Sequence, residues 1–203
     1  QVDPSYSELY QKMLELILSH IPIDNDTLHQ QLYSLLSTFL IKIHEALNPE
    51  LIEQIINPLI PDLTSLSEVR QLHVILLFKK IAEYEKDLFQ HGSADLCITE
   101  LVEQNFDEIF LKIIANGCDD DVDDAESTWV TPHAALDTLY VFGSFCPAVL
   151  FQDCLTFYET YNGSESATIQ LSSLCAVQVI STIDADESSS FILETIESIL
   201  NLC

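Results

Sequence analysis

The chain has 203 residues, 48% of them apolar, with 33 acidic side chains against 7 lysines and arginines and a formal charge of −26. That balance excludes a nucleic-acid or anionic-membrane surface, because gripping phosphates needs a stripe of lysine and arginine. Four glycines are too few for an all-β protein built on tight turns, and no run of about eighteen apolar residues offers a membrane-spanning helix. Apolar residues recur at helical spacing almost throughout, which predicts roughly nine helices. Pro4 opens the first, over residues 4–19, with Leu9, Met13, Leu16 and Ile17 on one face. The second covers 27–47, with Thr27 as its expected cap. Asn48 and Pro49 read as N-cap and N1 of a helix over 49–63 that Pro58 shortens or kinks. Ser65 and Glu68 form a capping-box pair for a long helix over 65–88. Ser93 starts another, over about 95–116, which Asn116 and Gly117 stop.

An acidic connection follows, Asp119-Asp120-Asp121-Val122-Asp123-Asp124-Ala125-Glu126-Ser127-Thr128, closing on the only tryptophan, Trp129. So many like charges repel one another, and a basic partner relieves that repulsion while the indole offers its face to a guanidinium or ammonium. The alternative is a solvated loop that only keeps the chain soluble. Helices are then expected over 129–145, 148–158 (started by Pro147), 165–183 and 187–202, the third entered through the Asn162-Gly163 turn with Ser164 as its expected cap. Lys112 is the last lysine or arginine, so the remainder of the chain carries acid alone.

Helix pairs joined by short connections, with starts near Thr27, Ser67, Trp129 and Glu165, predict an all-α fold. The expected architecture is an α-solenoid of HEAT repeats near ~40 residues each. About four helix pairs and one extra helix would form a single array over 1–203. An irregular helical bundle is the alternative. The absence of an initial methionine and the apolar helix at the end suggest a piece of a longer protein.

Motifs for chemistry are few. Asp119-x-Asp121-x-Asp123 has the start of a calcium loop, but the sixth and twelfth positions hold Asp124 and Val130 where an EF-hand needs glycine and a bidentate glutamate. Six histidines show no HxxxH spacing, and His73, in an apolar run, is expected to hydrogen-bond between helices. Six cysteines (Cys97, Cys118, Cys146, Cys154, Cys175, Cys203) show no CxxC and read as reduced, buried thiols. No glycine-rich phosphate loop and no GxSxG nucleophile occurs. The expectation is a binding scaffold without cofactor or metal, not an enzyme.

The segment Trp129-Val130-Thr131-Pro132-His133-Ala134-Ala135-Leu136-Asp137-Thr138-Leu139, behind its aspartate-rich loop, resembles the central HEAT repeats of the importin-β (karyopherin-β) family. There an acidic loop ends in tryptophan and leads into a helix with an Ala-Ala pair and a leucine four residues on. Phe78-Lys79-Lys80-Ile81-Ala82-Glu83-Tyr84-Glu85-Lys86-Asp87-Leu88 is similar to the preceding repeat's inner helix, with Phe78 where the family has tryptophan. Cys175-Ala176-Val177-Gln178-Val179-Ile180-Ser181-Thr182-Ile183 is similar to a later one. The likeness runs over about residues 27–183 and implies a diverged member.

The resemblance implies outer–inner helix pairs over 4–47, 49–88, 95–145 (with the acidic loop at 117–128) and 148–183, a final helix over 187–202, and a right-handed superhelix. It implies a nuclear transport receptor shuttling between cytoplasm and nucleus. A basic segment of cargo or an importin-α-like adaptor would bind Asp119, Asp120, Asp121, Asp123, Asp124 and Glu126, with Trp129 and Phe78 as aromatic faces. Ran-GTP and Phe-Gly nucleoporins are the other implied partners. A HEAT scaffold or chaperone adaptor for a basic protein, without a transport role, is the alternative.

Overall fold

A computed structural model describes residues 4–21, 25–63, 67–93, 97–117, 130–164, 167–183 and 189–196. Among the described residues every regular element is helical, as the periodicity requires. The chain divides into two compact units, Gln1–Gln104 and Asn105–Cys203.

Unit 1 contains α1 (Pro4–His20), α2 (Asp26–Ile43), α3 (Pro49–Ile56), α4 (Ile60–Leu63), α5 (Glu68–Gln90) and α6 (Cys97–Glu103). Local chemistry explains most boundaries. Asn48 caps α3 as expected, its Oδ1 accepting from Leu51 N at 2.9 Å with Pro49 at the first position. The cap of α2 is Asn25, whose Oδ1 accepts from Leu28 N, not Thr27; asparagine is the stronger N-cap and leaves Asp26 in the first turn. The cap of α5 is Ser67, two residues beyond the expected Ser65, which places Glu68 against the positive helix end. The expected helix over 49–63 is two, broken by a turn at 57–59 that contains Pro58. A tight 3-10 turn, His44–Ala46, ends α2 short of residue 47.

The α2–α5 pair is the most extensive packing in unit 1. Three side-chain links give its sense: Arg70 Nε to Asp26 Oδ1 at 3.4 Å, Lys80 Nζ to Thr38 Oγ1 at 2.8 Å, and His44 Nε2 to Glu85 Oε1 at 2.7 Å. Residue numbers rise together along both helices, so α2 and α5 run parallel, with partners 41, 42 and 44 positions apart. Leu36, Leu40, Val74, Ile75 and Phe78 are buried on these two helices, as are Ile52 and Ile55 on α3, which packs against α6.

Unit 2 contains a π-turn (Asp107–Leu111), α7 (Lys112–Gly117), α8 (Val130–Gly143), α9 (Pro147–Tyr161) and α10 (Ala167–Ile180), with a further helical segment at 189–196. The helix expected over 95–116 is therefore interrupted, by a turn at 104–105 and then by the π-turn. Ile109, Phe110 and Leu111 are all buried, and no single α-helical stripe buries three consecutive side chains facing one core; the wider turn accommodates them. Phe106, Phe110 and Phe142 form the centre, with Phe142 4.8 and 5.9 Å from the other two rings. The α9–α10 hairpin is the most extensive contact here, and α7 packs on α8. Tyr140 lies near Cys175 in α10, and a Cβ at Gly143 would touch Thr182 and Ile183 just beyond it, so α8 and α10 run in the same sense.

Candidate functional site

The acidic connection joins two helices that pack on each other in unit 2, α7 ending at Gly117 and α8 beginning at Val130. Asp119, Asp120, Asp121, Asp123, Asp124, Glu126 and Trp129 lie outside the described residues. On the near side α8 begins with one face anchored, because Thr131 and Pro132 are buried. Its opposite face opens to solvent: Val130 is 50% exposed, and the His133 side chain stands 71% exposed with its Nε2 3.9 Å from Asp137 Oδ1.

Phe78, expected as an aromatic face for a cation, is 1% exposed and packs in the unit 1 core. A buried phenyl ring at helical spacing with Val74, Ile75, Ile81 and Ala82 stabilises the α2–α5 contact and presents nothing to a ligand. His73 makes no hydrogen bond among the described residues. It lines a groove between α2 and α5, and burial is the main cause holding its pKa below the usual 6.5, with Asp26 opposing and His29 adding to the fall.

The histidine that does bridge helices is His44. Its Nε2 meets Glu85, a glutamate with no solvent exposure whose two oxygens also accept from Ile98 N (3.0 Å), Thr99 N (2.8 Å) and the Thr99 hydroxyl. One carboxylate thus ties the end of α2, the middle of α5 and the start of α6. Sequence reasoning missed it, although a signal exists: Glu85 continues the buried Phe78–Ile81–Ala82 stripe at i+7, so it had to be either buried or a break in the pattern.

Among the described residues no group of three or more His, Cys, Asp or Glu side chains could hold a metal ion. Cys146, Cys154 and Cys175 are buried thiols outside any disulfide. Burial raises the Cys154 thiol well above its ordinary value and the Cys175 thiol in the same direction, so both stay protonated and poorly nucleophilic. Burial likewise pushes the Tyr140 phenol up to about 12. No described helix is long and apolar enough to cross a membrane.

No protein-family model, curated protein or solved structure matches this chain.

Proposed function

We propose that this chain is a stretch of a HEAT-type α-solenoid, importin-β-like, whose acidic connection captures a cationic polypeptide segment. The observation that carries the reading is acid concentrated at 119–126 beside the chain's one tryptophan, between helices that pack together. The parallel α2–α5 pair supports the repeat assignment. Equivalent helices of successive repeats stack in parallel, and the offset of 41 to 44 residues is close to the ~40-residue HEAT period.

Asp119, Asp120, Asp121, Asp123, Asp124 and Glu126 supply the charge. Each solvated pair with lysine or arginine contributes ~0–1 kcal/mol, but a dense array steers encounter and sums over contacts. Trp129 adds a face for a cation at ~0.5–1 kcal/mol. The partner is a basic segment of cargo or of an importin-α-like adaptor, released when Ran-GTP engages the array, with Phe-Gly nucleoporins in outer-helix grooves and shuttling between cytoplasm and nucleus. The second reading is a HEAT scaffold or chaperone adaptor for a basic protein with no transport role. The burial of Phe78 favours it, because that repeat lacks the exposed aromatic of the transport receptors.

Trp129 emission reports binding directly, being the only indole. Titration with a Lys/Arg-rich peptide should shift it, and replacing Asp119, Asp120, Asp121, Asp123 and Asp124 by Asn should weaken the complex and flatten its salt dependence. Unchanged affinity would reduce the loop to a solubility device. Ran-GTP pull-down separates the two readings: capture supports the receptor, peptide binding without Ran-GTP capture supports the scaffold.

A further inference from the structure

Unit 1 carries a second feature of opposite polarity. Along the exposed side of the α2–α5 seam runs a hollow of about 240 Å³, and a shallower one of about 540 Å³ continues it over α2, sharing Gln30 and Ser34. Gln30, Ser34 and Thr38 stand in one exposed row at four-residue spacing. Such a row repeats about every 6 Å along a helix, close to the ~6.6–6.8 Å repeat of alternate residues in an extended chain. Side-chain amide and hydroxyl groups at that interval can meet successive backbone groups of a strand-like peptide. Leu35 and Leu76, 49% and 42% exposed, flank the row and offer apolar contact.

The charge at the far end of the groove selects the peptide. Lys80 reaches across to Thr38 Oγ1 at 2.8 Å, and Thr38 in turn donates to Ser34 O at 2.9 Å. Among the described residues the Lys80 ammonium has no carboxylate within ion-pair distance. It keeps donors in hand for an acceptor supplied from outside. Glu83, one turn on, is exposed but does not reach it. We propose that the α2–α5 groove binds an extended peptide segment whose acidic side chain pairs with Lys80. A basic segment would meet the ammonium as a like charge. More distant acid on the chain is screened beyond the Debye length of ~8 Å at physiological salt.

The proposal is independent of the acidic connection and is tested apart from it. A fluorescent, end-blocked peptide alternating leucine, threonine and glutamate is titrated with the full chain by anisotropy, beside a counterpart with lysine for each glutamate. The glutamate peptide should bind more tightly by about tenfold. Lys80→Glu should reverse that preference, Ser34→Phe should remove binding by filling the hollow, and Lys12→Glu, on α1, should change nothing. Circular dichroism melting of each variant confirms that it folds. Changing the acidic-loop aspartates to Asn should leave the glutamate peptide bound. Equal affinity for the two peptides, no binding of the glutamate peptide, or indifference to Lys80→Glu in a folded variant would each overturn the proposal.

Discussion

A glutamate cut off from water, as Glu85 is, is tolerated only when its oxygens are met by donors, since the desolvation of a lone buried charge costs several kcal/mol. Here four donors meet it, and removing the carboxylate strands all of them. Glu85→Ala should destabilise unit 1 by about 3–5 kcal/mol. His44→Ala leaves the Ile98 and Thr99 donors in place and should cost less, about 1–3 kcal/mol. Urea unfolding of the two variants checks the order, and equal losses would mean that the node does not work as a hub. His73 gives a pH prediction. Its folded-state pKa is depressed, so as pH falls the unfolded chain takes up the proton first. Its contribution is intact above the ordinary value of 6.5 and is lost as pH drops below that value through the lower folded-state pKa. Relative to wild type, His73→Gln should therefore gain melting temperature between about pH 7 and about pH 5; parallel curves would reject it.

At the scale of elements, two glycines make opposite predictions. Gly92 ends α5 with φ at 82°, and the bonds from Gly92 N to Phe89 O (2.9 Å) and Ser93 N to Leu88 O (3.0 Å) form a Schellman turn. Space around it is open, so the backbone alone sets the cost: Gly92→Ala should lose about 1–2 kcal/mol. Gly143 lies in α8 with ordinary φ, and an added Cβ would stand 3.4 Å from Leu150 Cδ2 and 3.5 Å from Thr182 Oγ1. That is normal contact, so Gly143→Ala should be neutral or gain up to ~1 kcal/mol of helix propensity. Thermal melting of the pair decides: a destabilised Gly143→Ala would show α8 packed more tightly against α9 and the end of α10 than these distances indicate.

At the scale of the molecule, net charge dominates. A formal −26 with one lysine or arginine beyond residue 104 repels itself in the compact state. Raising sodium chloride from low millimolar to ~0.5 M shortens the Debye length to a few ångströms and should raise the melting temperature; a fall would mean that ion pairs such as Arg70–Asp26 outweigh the repulsion. Helical class, the Asn48–Pro49 start and the Pro58 break were legible because each depends on a few neighbouring residues and on the 3.6-residue period. The caps at Asn25 and Ser67 were misplaced by two residues, since several adjacent polar side chains qualify and only packing chooses among them. The proposed acid-and-indole site lies outside the described residues and is read from the sequence alone. Its charge density needs no fold to be read, whereas the aromatic face expected of Phe78 rested on the resemblance alone, and its ring is buried at helical spacing with Val74, Ile75, Ile81 and Ala82.

Local order and electrostatic character were written in the residues themselves, because capping, helix period and like-charge repulsion act over a few positions. The parallel register of α2 with α5, the carboxylate shared by His44, Ile98 and Thr99, and the polar row ending at Lys80 were decided by tertiary structure. Each joins groups more than ten positions apart, where no local preference selects the partner and only the closing of one core does.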